Sequence, residues 1–383
     1  MRIVHVANST RKGQLGVEKH VLHLAAEQQA RGLNVSVLVD RKEGLAEACR
    51  QRSVPVTIVE ELDSFEPGGA RPTSRPAERM TQRLLAKFES LDPDLIHIHT
   101  PPAAAQTIPA ANLRRTPCVF SMHANKGPGP QGFHPLVESR KRGMSFAVIC
   151  MSDRDFEDLK GCGFPEADLY YVPHGTRAVM PAAHPGTRHS NRPNLIFVGS
   201  LIDRKRADLA ILAMAGLRQR NSRSCPVLYI YGDGEEREYL SEVVELLKMS
   251  EIVRFCGYQP DILEQCADTD ILIMPSDRET GPLTVLEAMS RGMPIVSTDV
   301  GDVASMLPDQ RYGRVVPPKS VIALANAVES LIMDIDNARF DRNLLIERHR
   351  LLYTREKMAQ RTEDVYREVL ARFRPGLPGR VAG

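Results

Sequence analysis

Two carboxylates eight positions apart, Glu279 and Glu287, lie on either side of the predicted start of a helix. An ionised carboxylate only accepts hydrogen bonds, so Glu287 could take two of them from the diol of a ribose, and Glu279 could hold the hydroxyls of a second sugar. Two carboxylates beside a diphosphate would repel it unless they bound hydroxyl groups. The pair therefore predicts a site for a glycosyl nucleotide; the alternative is a solvated helix with two ordinary surface glutamates.

The backbone between these carboxylates could bind the diphosphate of such a ligand. Pro282 suits the first turn of a helix, where its missing N–H group would have no partner in any case, and Gly292 suits the position just after the helix ends. The amides of Leu283 and Thr284 would then be free at the positive end of the helix dipole, which favours a bound anion.

Short β-branched segments alternate with longer helical ones, a pattern typical of parallel, doubly wound α/β sheets. Strands are predicted at residues 3–6, 35–39, 56–59, 95–99, 118–122 and 147–150, then at 195–198, 227–231, 252–255, 271–274 and 295–297, with a helix at 17–29. Four prolines interrupt the alternation between residues 171 and 194. We therefore predict a first domain (1–172), a linker (173–193), a second domain (194–350) and a C-terminal helix and tail (351–383).

Residues 267–301 resemble the Glu-x7-Glu region of retaining GT-B glycosyltransferases, the large family four. The resemblance implies an α/β fold of two Rossmann-like, doubly wound domains that face each other across a cleft, with the acceptor on the N-terminal side and the nucleotide sugar on the C-terminal side. In that family the first glutamate contacts the donor sugar and the second the nucleotide ribose. These roles would fall to Glu279 and Glu287.

The same resemblance implies two further features of the C-terminal half. Gly281 would belong to the donor-binding loop, where the segment 279–282 replaces the family's usual Glu-Gly-Phe-Gly. The last helical stretch, residues 353–373, would cross back onto the N-terminal domain; a free-standing amphipathic tail helix is the alternative.

A glycine-containing stretch after the first strand also resembles the family. Residues 13–21 are similar to its Gly-Gly-x-Glu-Arg-His segment, with Leu15 in place of the first glycine and Gly16 aligned with the second. A glycine before a helix lets the backbone approach a phosphate or sugar closely, and a plain turn is the alternative.

Basic residues follow the predicted strand at 195–198. Lys205 aligns with the family lysine that neutralises the diphosphate, whereas Ser200 stands where an arginine is usual. A serine cannot stabilise charge on a leaving phosphate as a guanidinium does, and Arg204 could reach in as a substitute. The alternative is a solvated basic turn.

Histidines mark the ends of two strands of the first domain. His123 matches the family's Thr-x-His position near the donor sugar, although a structural role is equally open. His97 and His99 should project to the same face of their strand, since side chains alternate along a strand. His99 is last on that strand and is the one expected nearer the cleft.

Composition sets broad limits. At 383 residues and 42% hydrophobic content, the chain is long enough for two domains with separate cores. A net charge of +2, with 26% charged residues of mixed sign, gives no support for nucleic-acid binding. The seven scattered cysteines predict neither a disulfide framework nor a zinc site. The N-terminus lacks a signal-peptide pattern and no run of about 18 apolar residues occurs, so a cytoplasmic protein is expected.

No metal and no cofactor are expected. Asp-x-Asp occurs at residues 92–94, 153–155, 268–270 and 334–336, as in metal-dependent glycosyltransferases of the other major fold. So many matches are expected in an acid-rich chain. A helix terminus and Lys205 would already carry the charge of the diphosphate.

The resemblance implies a retaining transfer from a nucleoside-diphosphate sugar to an acceptor hydroxyl, in polysaccharide or other glycoconjugate biosynthesis. Lys205 and the helix amides would stabilise the leaving diphosphate, while Glu279 and His123 would hold the sugar. Two alternatives stay open: a secondary-metabolite glycosyltransferase, and a catalytically silent sugar-nucleotide-binding accessory subunit.

The acceptor is unknown, and a lipid-linked one is among the candidates. Two loops rich in glycine and proline, residues 65–76 and 125–132, could select it. Basic residues near them could meet an anionic membrane surface and would allow peripheral contact with its inner face; a solvated face is the alternative. These residues are Arg71, Arg75, Arg79, Arg83, Lys87, Arg140, Lys141 and Arg142.

Overall fold

The computed structural model describes residues 1–9, 16–60, 62, 74–123, 134–179, 194–220, 225–260, 262–264, 266 and 270–373. The predicted loop at 125–132, Leu15, residues 65–73 of the other predicted loop, most of the predicted linker and the tail after residue 373 lie outside these ranges. In the described part, no helix combines the length and the apolar character that a membrane crossing requires.

The chain forms two compact units. The first contains Met1–His174 and Arg355–Gly383, and the second contains Gly175–Thr354. The chain therefore leaves the first unit after His174 and returns to it at Arg355, a few residues later than the predicted boundary at 351.

The described residues of the first unit build a seven-stranded sheet in which every pairing is parallel. The strands are β1 (Arg2–Ala7), β2 (Asn34–Val39), β3 (Val56–Ile58), β4 (Leu95–Ile98), β5 (Cys118–Met122), β6 (Ala147–Cys150) and β7 (Leu169–Tyr171), in the order β3-β2-β1-β4-β5-β6-β7. The helices are α1 (Gly16–Ala30), α2 (Leu45–Gln51), α3 (Ser74–Leu91), α4 (Pro101–Arg114), α5 (His134–Lys141) and α6 (Asp153–Gly161). Helices cover both faces, so the strands are nearly all apolar and buried.

The second unit has a six-stranded sheet over the described residues, again with parallel pairings. Its strands are β8 (Leu195–Val198), β9 (Leu228–Tyr231), β10 (Val253–Gly257), β11 (Ile271–Met274), β12 (Ile295–Thr298) and β13 (Arg314–Val316), in the order β10-β9-β8-β11-β12-β13. Its helices are α7 (Ala207–Arg220), α8 (Arg237–Leu246), α9 (Leu283–Arg291), α10 (Val303–Met306), α11 (Val321–Asp336) and α12 (Arg342–Leu352). This is the strand order of a dinucleotide-binding Rossmann domain, and the predicted fold class is confirmed.

The last helix, α13 (Arg355–Phe373), belongs to the first unit. Its apolar side joins the core that α1 and β1 also line, with Tyr366 fully buried. Glu363 pairs with Arg31 at the end of α1, at 2.7 Å. Each buried apolar side chain contributes about 1.5–3 kcal/mol, so α13 is an integral part of this core.

Candidate functional site

In the second unit, the strand order reverses between β8 and β11. Loops at the carboxyl ends of two strands diverge at such a point and leave a crevice, which is where doubly wound sheets bind ligands. The two loops here are residues 199–206, after β8, and residues 275–282, after β11. The predicted donor-binding residues of this unit all lie in these loops or in the first two turns of α9.

Glu279 lies in the loop after β11 and is held by three side chains. Its Oε1 is 2.6 Å from Lys205 Nζ and accepts a hydrogen bond of 2.8 Å from Ser276 Oγ. Arg204 Nη1 is 3.3 Å from Oε2 and also donates to the carbonyl of Arg278. The Glu279 side chain is only 9% exposed, against 17% for Lys205 and 44% for Arg204. The carboxylate is therefore fixed in position beside two cations.

The same two loops are joined by a second ion pair. Arg206 contacts Asp277 at 3.1 Å and Asp208 at 2.8 Å. Its guanidinium donates two hydrogen bonds to the carboxylate of Asp208, which fix the orientation of the guanidinium. The amide of Asp277 donates to the carbonyl of Arg204. The basic turn is thus tied to the loop after β11 by backbone and side chains, and it differs from the solvated turn considered as an alternative.

The loop after β11 is also anchored from the side of β12. Thr298 is fully buried, and its hydroxyl donates to the carbonyl of Ser276 at 2.6 Å. The amide of Asp302 donates to the carbonyl of Thr280. Gly301 has φ +54°, and a Cβ atom there would lie 2.2 Å from the Thr280 carbonyl oxygen. Only glycine allows this close approach.

Helix α9 begins at Leu283, so Pro282 occupies the N-cap position. The prediction that Pro282 lies within the first turn was wrong by one residue, because its ψ of 111° is extended and not helical. No side chain caps the helix, and in the described structure the amides of Leu283 and Thr284 have no acceptor. Gly292 ends the helix with φ 67°, as predicted.

Glu287 lies on α9 one turn after Leu283 and is partly exposed, as is Gly281 before the helix. Its spacing from Leu283 puts Glu287 on the face of the first turn, and its contact with a ribose stays a prediction.

Glycines let the loop after β8 pack closely against the loop after β9. A Cβ atom at Gly232 would be 1.8 Å from the carbonyl oxygen of Gly199, and one at Gly234 would be 2.3 Å from that of Leu201. The stem of Lys205 lies 3.8 Å from a Cβ position at Gly199, so the lysine lies across this glycine. Ser200, the residue after Gly199, is exposed.

The other predicted site residues belong to the first unit. His123 directly follows β5, and its Nε2 is 3.2 Å from His99 Nδ1. His99 is 1% exposed and contacts the His20 ring on α1, and its expected place nearer the cleft stays a prediction. His97 and His99 do share a side of β4, with ring centroids 4.0 Å apart. Gly16 is the first residue of α1, and a Cβ atom there would meet nothing within 4 Å.

The structure thus brings Arg204, Lys205 and Glu279 into direct contact within the second unit. It places His123 and Gly16 in the first unit, and their joint action with Glu279 stays a prediction.

The sequence pattern did not point to three further histidines of the first unit that lie near His97, His99 and His123. They are His5, His20 and His174. A signal was available for one of them, since His5 and His97 occupy odd positions of two strands that turn out to be neighbours in register.

Two family models cover the chain. Residues 182–344 match the family described as Glycosyl transferases group 1, and residues 15–178 match Glycosyltransferase Family 4. Two Rossmann-like α/β units are the architecture of GT-B glycosyltransferases, and solved structures of that fold match the chain. The chain belongs to the group 1 family of these glycosyltransferases.

Known proteins of several kinds resemble it along most of its length. Glycogen synthase of Mycobacterium tuberculosis (strain H37Rv) is 24% identical over 344 residues, covering 83% of each chain. D-inositol 3-phosphate glycosyltransferase of Nocardia farcinica is 25% identical over 358 residues, covering 85% of this chain and 78% of that protein. Among solved structures, Anabaena HepE in complex with UDP has a TM-score of 0.78 at 18% identity, with coverage of 96% and 100%.

Proposed function

We propose that the chain is a retaining glycosyltransferase that moves a sugar from a nucleoside-diphosphate sugar to an acceptor hydroxyl, with no metal in the transfer step. The observation that carries the proposal is the position of Glu279. Its carboxylate is nine-tenths buried at the switch point, fixed by Lys205 and Ser276, and it lies four residues before a helix with free amides.

The α9 terminus suits the diphosphate of the donor. The amides of Leu283 and Thr284 have no acceptor among the described residues and lie at the positive end of the helix dipole, where two N–H donors would bind phosphate oxygens. Glu287, one turn further on, would accept hydrogen bonds from the ribose diol. HepE, solved with UDP and with UDP-glucose, supports a donor of this class.

Glu279 would then hold hydroxyls of the transferred sugar. It is paired with two cations, and a carboxylate accepts hydrogen bonds from hydroxyl groups. His123 and Gly16, from the first unit, would complete the contacts to sugar and phosphate.

The chemistry breaks the bond between the sugar anomeric carbon and the diphosphate oxygen. The acceptor oxygen forms its new bond from the face that the diphosphate leaves, and its proton passes to the departing phosphate oxygen, so that no carboxylate base is needed. Lys205 and the helix amides stabilise the charge that develops on the diphosphate. Arg204 would add a second cation in place of the arginine that Ser200 replaces.

The acceptor class is part of the proposal: a hydroxyl of a polysaccharide or other glycoconjugate, lipid-linked precursors included. Arg79, Arg83 and Lys87 are exposed on α3, in keeping with contact to an anionic surface. A secondary-metabolite acceptor is the alternative for the same chemistry. We also propose a cytoplasmic location, with peripheral contact to the membrane.

The decisive experiment incubates the purified chain with a panel of sugar nucleotides and measures the shift in melting temperature and the release of free nucleotide. One donor should raise the melting temperature and be turned over, since binding to the folded state stabilises it. Glu279→Ala should lower turnover about 100-fold or more while binding of the bare nucleoside diphosphate changes little. Glu329→Ala, which removes a surface ion pair with Arg220, is the matched control.

Two outcomes would contradict the proposal. Equal losses of turnover and of bare-nucleotide binding in Glu279→Ala would exclude the sugar-holding role. Binding of a sugar nucleotide without hydrolysis or transfer, whatever acceptor is supplied, would favour the silent accessory subunit.

A further inference from the structure

Six histidines form one group in the first unit, five of them buried and His123 partly exposed. We call it the histidine cluster: His5 on β1, His20 on α1, His97 and His99 on and just after β4, His123 after β5, and His174 after β7. In the described part of the chain, two triplets of this cluster have ring nitrogens within 4.8 Å of one another: His5, His97 and His99, and separately His20, His123 and His174.

The inner triplet is occupied by hydrogen bonds within the protein. His97 Nδ1 accepts from the hydroxyl of Tyr366 at 2.5 Å, and its Nε2 is 2.7 Å from Ser121 Oγ. His5 is bonded at both nitrogens, to His99 and to Gln28. The nitrogens of these three rings are all engaged in hydrogen bonds within the protein, so none has a lone pair free for a metal.

A hydrogen-bonded relay fixes the proton positions of His123. The amide of Gln28 donates to Tyr366, so its Oε1 accepts from His5 Nε2 at 2.8 Å. His5 Nδ1 must then accept from His99 Nε2, also at 2.8 Å. His99 Nδ1 in turn accepts from His123 Nε2. His123 is therefore left with a bare lone pair on Nδ1, and this atom is buried with no partner among the described residues.

The other two rings of the outer triplet present further nitrogens. His20 Nδ1 and His174 Nδ1 are 2.9 Å apart, a hydrogen bond that needs one proton between the two atoms, and His20 Nε2 is buried without a partner in the described part of the chain. The ring centroid of His20 lies 4.4 Å from that of His123 and 4.9 Å from that of His174. Nitrogens bound to one tetrahedral zinc lie about 3.4 Å apart, given Zn–N bonds of about 2.0–2.1 Å, so movements of about 1 Å complete the geometry.

The three rings are also in the protonation state that a metal requires. Burial lowers the pKa of His174 to about 4. Burial, with neighbouring histidines as a smaller cause, lowers the pKa of His20 and of His123 well below the usual value. All three are neutral at pH 7, and neutral imidazole is the ligand form.

We propose that His20, His123 and His174 form a binding site for one divalent transition metal of the class that prefers imidazole nitrogen, with Zn²⁺ as the probe. Three histidines leave a fourth coordination position for water or a small ligand. The relay from Gln28 through His5 and His99 would orient His123, as outer-shell partners orient metal-bound histidines elsewhere. Binding of a metal to His123 would compete with the sugar contact proposed for this residue, and no step of the transfer reaction is routed through the metal.

The test is a titration of the chelator-treated full-length chain with Zn²⁺, in competition with a chromophoric chelator, and in parallel with Co²⁺, whose visible absorption reports on ligands and geometry. We expect one equivalent to bind, with a tetrahedral Co²⁺ spectrum that lacks the thiolate charge-transfer band. His20→Gln and His174→Gln should each weaken binding about 100-fold or more. The control is His23→Gln, on the same helix three residues after His20, and it should bind as the wild type does.

Circular dichroism and urea unfolding of each variant without metal show whether it is folded, and His20→Gln and His174→Gln serve as replacements for each other if one is not. The proposal is overturned if the wild type binds Zn²⁺ no more tightly than the two variants, or if His23→Gln loses as much. A thiolate band in the Co²⁺ spectrum would also overturn it, since it would assign the metal to the free cysteines.

Discussion

Lys205 and Arg204 are neighbours that differ in how firmly they contact Glu279. The ammonium of Lys205 is 2.6 Å from the carboxylate and largely enclosed, whereas the guanidinium of Arg204 is 3.3 Å away and almost half exposed. A charge in an enclosed site acts in a lower dielectric and is worth more than one facing water.

We therefore expect Lys205→Met to lower kcat by about 10²–10³, the range found when one donor to a developing negative charge is removed. Arg204→Met should lower it by about tenfold or less. Steady-state kinetics on the donor found in the sugar-nucleotide panel would measure both. A larger loss in Arg204→Met would mean that Arg204 has fully taken over the role of the missing arginine at Ser200.

Gly301 offers a test of the loop that carries Glu279. Its φ of +54° and the 2.2 Å from a Cβ position to the Thr280 carbonyl oxygen predict that Gly301→Ala destabilises the second unit by about 2 kcal/mol or more and displaces the loop. Gly216 in α7 is the matched control, since a Cβ atom there meets nothing within 4 Å. Gly216→Ala should stabilise the helix by about 0.5–1 kcal/mol. Urea unfolding of both variants would decide; equal and small effects would contradict the packing described.

At the scale of elements, two tyrosine hydroxyls form hydrogen bonds between α13 and the rest of the first unit. One hydroxyl is buried and the other is exposed. The Tyr366 hydroxyl lies between His97 and Gln28 and is fully enclosed. The hydroxyl of Tyr170 on β7 donates to Glu368 at the surface of the same helix.

Tyr366→Phe should therefore cost about 1–3 kcal/mol, because it leaves His97 Nδ1 buried without a donor, whereas Tyr170→Phe should cost less than about 0.5 kcal/mol. The free energy of unfolding from urea titrations, followed by hydrogen exchange in β1 and β4, measures the difference. Similar costs for the two variants would show that the buried hydroxyl of Tyr366 contributes no more to stability than the exposed hydroxyl of Tyr170.

Most strands were predictable because a parallel sheet buried on both faces requires short apolar, β-branched runs. β5, β6, β8 and β11 have the predicted bounds. The edge strands β7 and β13 were missed, since Leu169–Tyr171 and Arg314–Val316 have three residues each and include polar side chains. Such segments become strands only because a neighbouring strand offers its free edge.

Some parts of the candidate site could be predicted from the sequence and others could not. The Glu279 loop and the Gly292 helix end follow from local sequence. The ion pairs of Glu279 with Lys205 and Arg204 join segments some 75 positions apart, and the pattern of either segment alone does not specify them. The histidine cluster escaped for the same reason: its members come from five separate segments, and only the strand order makes them neighbours.

At the scale of the whole molecule, the histidine cluster links stability to pH. His5 and His174 have folded-state pKa values lowered to about 4 by burial, while an unfolded histidine titrates near 6.5. As pH falls from 6.5 toward 4, the unfolded chain binds protons that the folded first unit does not. Its stability is therefore complete above pH 6.5 and declines below it.

As pH falls through that window, each histidine that stays neutral in the folded state should lower the free energy of unfolding by about 1.4 kcal/mol per pH unit. Urea unfolding at several pH values between 7 and 5, followed through signals of backbone amides in the first unit, should show this slope. His174→Gln should show a slope smaller by about that amount, which separates the histidines from the carboxylates. A wild-type stability that is flat between pH 7 and 5 would contradict the buried, neutral state of the rings.

The position of α13 in the first unit also governs the order of events during synthesis. The second unit, Gly175–Thr354, lies entirely ahead of α13 in the chain, so all of it has been translated before Arg355 is added. The sheet of the first unit has been translated much earlier, yet the buried faces of α1 and β4 are covered only after α13 has left the ribosome. The first unit is thus begun before the second unit is made and completed after it.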